Sequence, residues 1–371
     1  MAERRGIVHI GMPRTGTTTF QRLLHDQRAG LERRGLLYPD LTPPGDARIH
    51  LNHQPLGEVL DGRRGVADRA AMLARLEADL AATSAEIVIL SYEGFCHAAG
   101  AAAVLADLLR RHGFRPETAV TVKPQAEYLN SRYTKQMQFL QETRDFRGFF
   151  RRAFRDRKLD YARLVLPFAD TLGGPLHLVP LRDHRSQAPL IERLLAELDL
   201  ADRIGDLVLK AGGDLVENPS AGPLAIEAER RLAILGAGHG LGEGAREATR
   251  LLEDEVARRG LDRGSFAGVD AEMQAIVADH WRASCEALAR RAWGCAWEDR
   301  VAPAAPRPVN EIARLGADRE TEALLAELVA WTSDQVGFAP RGPLRRRIDA
   351  VEAAAGAGLR RMLRRARARR G

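Results

Sequence analysis

The chain has 371 residues, 45% of them hydrophobic and 29% charged, and carries a formal net charge of +6. This is the balance of a folded globular protein, long enough for one main domain with a helical addition, and not that of a disordered or fibrous chain. The mild positive excess points to anionic ligands or surfaces without calling for nucleic acid.

Residues Ile7 to Thr19 read I-V-H-I-G-M-P-R-T-G-T-T-T. They form a short apolar run, a turn framed by Gly11 and Gly16, and a helix start. The free N–H groups of a first helical turn, backed by the helix dipole, make such a segment a cradle for an anion. Arg14 adds a positive fork, and Thr17, Thr18 and Thr19 add hydroxyl donors. A nucleoside triphosphate loop is written G-x-x-x-x-G-K-[ST]. Here the glycine spacing is kept, but Thr17 stands where that lysine belongs. The loop should hold a phosphorylated small molecule without the usual handle on a triphosphate.

From Thr17 to Arg34 apolar residues recur at helical spacing, and Gly35 ends the run. Tyr38 to Asp46 is rich in proline and glycine and predicts a loop. His50 and His53 then precede a short helix. Ala67 to Ser84 predicts a helix, Glu86 to Tyr92 a buried parallel strand, and Ala98 to Arg111 a helix. Thr118 to Val122 predicts a strand and Gln125 to Phe139 a helix. Leu159 to Leu172 follows as a helix, Pro175 to Leu181 as a fourth strand, and Ser186 to Leu198 as a helix. Strands alternating with helices imply an α/β fold with a parallel sheet covered on both faces. Ligands of such sheets sit beyond the carboxyl ends of the strands.

Past Pro219 only helical patterns occur, over Leu224 to Leu235, Gly244 to Arg259 and Ala271 to Trp293. Val301 to Pro308 reads as a linker and Glu320 to Thr332 as a short helix. Leu344 to Arg370 is an arginine-rich helix suited to an anionic surface. The expected division is a core over 1–210, a helical part packing on it over 211–300, a linker and short helix over 301–342, and a basic tail over 343–371. The three cysteines, Cys96, Cys285 and Cys295, show no paired metal spacing and favour free thiols in a reducing compartment. No apolar leader and no bilayer-length apolar stretch is found, so a cytoplasmic protein without a transmembrane segment is expected.

The second strand runs into Glu93 and Gly94, which places a carboxylate beside the crevice lined by the loop. A glutamate there can take a proton from an acceptor hydroxyl or amine. The plainer alternative is an ion pair with Arg14 or Lys123. Lys123 ends the third strand, and Ser131 lies eight residues on, about two helical turns later; together they can share a second phosphate. His50 and His53, on a loop, can orient a substrate or act as a base. His97 is near Glu93 in sequence, and Arg182 follows the fourth strand; both are weaker candidates.

The loop G-M-P-R-T-G-T-T-T with Lys123 and Ser131 resembles the donor site of sulfotransferases that use 3′-phosphoadenosine 5′-phosphosulfate. The blocks H-I-G-M-P-R-T-G-T-T, G-L-L-Y-P-D, I-L-S-Y-E-G-F, L-N-S-R-Y and L-D-Y-A, in that order, are similar to bacterial members of that family. The resemblance implies a P-loop-type parallel sheet flanked by helices, with a helical C-terminal extension. It implies that Gly11, Pro13, Arg14, Thr15, Gly16, Thr17, Thr18 and Thr19 wrap the 5′-phosphosulfate. Ser131 would bind the 3′-phosphate, with Lys123 in place of the usual arginine, and Glu93 occupies the place of the family's base. The implied reaction is metal-free, in-line sulfuryl transfer to a hydroxyl or amine, above all of a carbohydrate or glycolipid, with Arg14 stabilising the transferring group. Two departures stand out. Lysine lacks the planar fork of arginine, and the family's late R-K-G-x-x-G segment is reduced to a faint echo at Lys210-Ala-Gly-Gly. The alternatives are a P-loop kinase or NTPase, and a non-catalytic nucleotide-binding relative.

Overall fold

A computed structural model describes residues 3–210 and 221–338, apart from residues 99 and 306. The expected basic tail and the segment after Lys210 lie outside the described residues. The rest divides into two units. The first takes in the described residues of Met1–Tyr128, Asp156–Glu217 and Ile276–Ala305; the second takes in those of Leu129–Arg155, Asn218–Ala275 and Pro306–Gly371.

This differs from the expected division at 210. Residues 129–155, expected in the core, belong to the second unit, while much of the long helix Ala271–Trp293 belongs to the first. Leu288 and Trp293 pack into the core of the first unit, and the Trp293 indole N–H donates to the Leu178 carbonyl.

The first unit is built on a five-stranded, all-parallel sheet flanked by helices. Its strands are β1 (Arg4–His9), β2 (Leu36–Leu37), β3 (Ile87–Ser91), β4 (Phe114–Val122) and β5 (Leu176–Pro180), in spatial order β2-β3-β1-β4-β5. Side chains alternate between faces, as a strand requires. Ile7, Ile89 and Ala119 face Phe20, Leu23 and Leu24 of α1 (Thr17–Asp26), together with Leu194 and Leu195 further along the chain. Val8, Val88 and Val120 pack in the opposite cluster with Leu76 and Leu80 of α2 (Val66–Ala82), Leu105 and Leu109 of α3 (Ala101–Arg111), and Val165 and Phe168 of α4 (Tyr161–Leu172). Burying a side chain such as Phe20 or Leu24 is worth about 1.5–3 kcal/mol relative to leaving it in water.

The two faces decide where the site can lie. The chain leaves β1 toward one face through α1 and leaves β3 toward the other through α3. The connections therefore diverge, and they open a crevice at the carboxyl ends of two neighbouring strands.

Three local readings are corrected. The helix expected from Thr17 to Arg34 breaks at Gln27, whose φ and ψ of −104° and 14° leave the helical region, and resumes over Arg28–Glu32. Strand β2 is only two residues long, too short for a periodic signal. Strand β4 starts at Phe114, four residues before the expected Thr118, although Arg115, Pro116 and Glu117 argue against a central strand.

Buried ion pairing explains that last strand. Glu117 is fully buried, accepts from Arg5 Nε at 2.9 Å and Nη2 at 2.7 Å, and lies 3.1 Å from His177 Nε2. Burial pushes the Glu117 carboxyl up, but the bonds from His177 and Arg5 outweigh it and hold it down at about 2. Burial pulls His177 down, but Glu117 and Glu197 raise it to about 9.

The second unit has its own apolar core, including Leu140, Leu224, Leu232, Leu252, Leu325 and Leu328. Elsewhere in this unit Tyr133 packs among Phe146, Phe149 and Phe266 and donates to the Arg144 carbonyl at 3.0 Å.

The ion cluster sets a pH window for stability. Glu117 contributes fully above about pH 4.5 and loses its contribution as pH falls toward 2; His177 contributes fully below about 6.5 and loses its contribution as pH rises toward 9. Chemical unfolding of Glu117→Gln should show a loss of about 3 kcal/mol, because Arg5 and His177 are left without their buried counter-charge. The variant's stability should also vary less with pH across both limbs.

Candidate functional site

The loop after β1 is fastened to β4. The Ile10 N–H donates to the Ala119 carbonyl at 3.0 Å, the Met12 N–H to the Thr121 carbonyl at 2.8 Å, and the Thr121 N–H to the Gly11 carbonyl at 2.7 Å. Thr15 is fully buried; its hydroxyl donates to the Met12 carbonyl at 2.5 Å and shares a short bond with the Thr121 hydroxyl. The Thr15 side chain, expected to hold a ligand, therefore closes the loop on itself.

The turn needs backbone that side chains resist. Gly11, Arg14 and Gly16 have φ of 138°, 65° and 81°. A Cβ at Gly16 would lie 3.1 Å from Leu190 Cδ2, and one at Gly11 would lie 3.1 Å from the Glu93 carbonyl oxygen. Gly16 caps α1 in the left-handed region with no side-chain bond. The first-turn amides at Thr17, Thr18 and Thr19 have no acceptor within the helix, as at any helix start. Arg14 and Thr18 are exposed, Pro13 and Thr19 half-buried, and Thr17 buried.

Glu93 stands against this loop. It is half-buried just beyond β3; Oε1 accepts from the Thr17 hydroxyl at 3.0 Å and Oε2 from Asn52 Nδ2 at 3.2 Å. The residue at the position of a triphosphate-binding lysine thus hydrogen-bonds the candidate base.

The histidines fall into different roles. His53, expected on the acceptor side, is 1% exposed. Its Nδ1 accepts from the Ser91 N–H at 2.9 Å and its Nε2 donates to the Pro39 carbonyl at 2.9 Å. Burial pulls it down to about 4, so it is a neutral rivet between loop and strand and is not placed to orient a substrate or act as a base. His50 pairs with Asp46 Oδ2 at 3.0 Å, and His97 is half-buried in the short helix Phe95–His97.

Lys123 follows β4 and is 4% exposed. Burial pulls its amine down, Glu127 partly opposes this, and the charges of Arg14 and Arg182 push it further, to about 7. Those two influences put Arg14 and Arg182 each within electrostatic reach of Lys123. Arg182 also pairs with Glu127, which accepts from the Ala304 N–H at 2.7 Å. Ser131 lies two turns along the helix Gln125–Met137, in the part that belongs to the second unit.

Sequence reasoning missed three residues. Asn52 donates to Glu93; Gln21, on α1, is 2% exposed; and His9, at the end of β1, is fully buried. Gln21 and His9 look like core-facing positions, and a polar residue there has no sequence signature. Only the proximity of β1, α1 and β3 reveals them.

No family model, curated protein or solved structure matches this chain. At the carboxyl ends of the strands, helix-start amides meet a carboxylate through Thr17, and Lys123 lies in the field of Arg14 and Arg182.

Gly11 ties the loop to the carboxylate. Gly11→Ala should lower stability by about 1–3 kcal/mol from its positive φ and push the Glu93 backbone outward. Calorimetric unfolding checks the first effect and a crystal structure of the variant the second.

Proposed function

We propose that this protein is a sulfotransferase that moves a sulfuryl group from 3′-phosphoadenosine 5′-phosphosulfate to a hydroxyl or amine, most suitably of a carbohydrate or glycolipid. The observation that carries the reading is the bond between Glu93 and Thr17, which sets a carboxylate against the first turn of an anion-cradling helix. A central first strand with a glycine-framed loop at its carboxyl end supports a P-loop-type arrangement. Threonine in place of lysine at position 17 favours a sulfonucleotide over a triphosphate.

In this reading the loop amides, Thr18, Thr19 and Arg14 hold the phosphosulfate. The acceptor oxygen or nitrogen attacks sulfur in line and its proton passes to Glu93. The bond from sulfur to the bridging oxygen breaks, and its electron pair leaves with adenosine 3′,5′-bisphosphate. Arg14 and the amides stabilise the charge that develops on the leaving oxygens. Lys123 and Arg182 add positive potential.

The test follows the melting temperature with the sulfonucleotide, with adenosine 3′,5′-bisphosphate, and with ATP and Mg²⁺. A ligand at a hundred times its Kd stabilises the folded state by about 2.7 kcal/mol. Stabilisation by the first two supports the proposal, and a response to ATP alone overturns it. Glu93→Gln should keep that stabilisation and lose transfer by about 10²–10⁴-fold.

Lys123 gives the binding a pH signature. An anion favours the charged amine, so a proton is taken up on binding wherever free Lys123 is neutral. Affinity for the bisphosphate should therefore fall as pH rises above about 7, by up to about tenfold per unit. Titration calorimetry between pH 6 and 9 should show that fall, and Lys123→Arg, which stays charged, should flatten it.

A further inference from the structure

Glu93 is one end of a chain of hydrogen bonds that runs from half-buried Asn52 to buried Gln21, Ser91 and His9, its amides oriented by a backbone donor. The Gln54 N–H donates to Asn52 Oδ1 at 3.1 Å. A backbone N–H can only donate, so the other end of that amide, Nδ2, is turned toward Glu93 Oε2 at 3.2 Å and Gln21 Oε1 at 3.4 Å. Gln21 must then present its own Nε2 inward, and it donates to Ser91 Oγ at 3.1 Å. Ser91 Oγ lies 2.8 Å from His9 Nδ1. The serine hydroxyl donates to that nitrogen or accepts from it according to the histidine tautomer. His9 Nε2 is buried with no partner in hydrogen-bond geometry among the described residues, while the Glu93 charge and then the Gly11 backbone favour its protonated form.

Every member between Gln54 and His9 is uncharged. Burial pulls His9 down to about 4, against the opposing pull of the Glu93 charge, so it is neutral at physiological pH. A counter-ion here would steady Glu93 but would also weaken it as a proton acceptor. Neutral donors orient the carboxylate without placing a counter-charge beside it.

We propose that Asn52 and Gln21 are positioning residues for Glu93, with the amide of Gln21 held in register from inside by Ser91 and His9. The proposal rests on the reading of Glu93 as the base, but the contact it describes does not. Asn52 aims one carboxylate oxygen, and Gln21 acts on Glu93 only through Asn52.

Urea unfolding of Asn52→Ala, Glu93→Ala, Gln21→Leu and the paired variants tests the chain without any activity. Asn52→Ala should lower the folding constant about tenfold less when Glu93 is already alanine. Gln21→Leu should couple to Glu93→Ala as well, and that coupling should vanish once Asn52 is alanine. Additive effects in the first cycle overturn the proposal. In transfer assays Asn52→Ala should lower kcat about a hundredfold with the donor KM unchanged, and Asn52→Ser, which keeps a donor, should recover part of it. An unchanged kcat in a coupled variant overturns the positioning role. If the wild-type protein transfers no sulfuryl group while the couplings persist, the reading of the reaction fails and the chain of bonds stands.

Discussion

The bond from the Thr17 hydroxyl to Glu93 joins the ends of two neighbouring strands. Thr17 opens the helix that leaves β1, and Glu93 follows β3, so one contact fixes a helix start and a carboxylate together. It exists because those strands send their chains to opposite faces of the sheet, which brings only the two turns together at the crevice. Its setting is rigid. The loop is laced to β4 through Thr15 and Thr121, and Gly11 lets the Glu93 backbone approach more closely than a side chain would allow.

Charge is distributed unevenly along the strands. Toward their amino ends, Arg5, Glu117 and His177 form a cluster in which attraction overcomes desolvation. At their carboxyl ends, Lys123 lies with Arg14 and Arg182 in its field, and burial and repulsion both act against its charge. The first arrangement stabilises the fold by itself. In the second, Glu127 offsets part of that cost, and a bound anion would favour the charged amine further.

Much of the fold was legible in the sequence because the strand at Ile87–Ser91 is an apolar run, the one at Leu176–Pro180 is apolar but for His177, and the helices carry clean periodicity. The start of β4 was hidden, since Arg115, Pro116 and Glu117 look unlike a strand until Arg5 and His177 are seen beside them. The unit boundaries were hidden because segments distant in sequence assemble each unit. At the site, the loop and Glu93 were readable from local pattern. His53 was misread because nothing local distinguishes a loop histidine from one clasped between Ser91 and Pro39. Thr15 was misread for a similar reason, its partner Thr121 lying on another strand. Asn52, Gln21 and His9 left no trace at all: a polar chain across β1, α1 and β3 is a property of the tertiary structure.

The most direct test of the account is to map where adenosine 3′,5′-bisphosphate binds, by amide hydrogen exchange on the full chain. The account predicts that the strongest new protection falls on the amides of residues 14–19. Protection confined to other segments, with those amides unchanged, would contradict it.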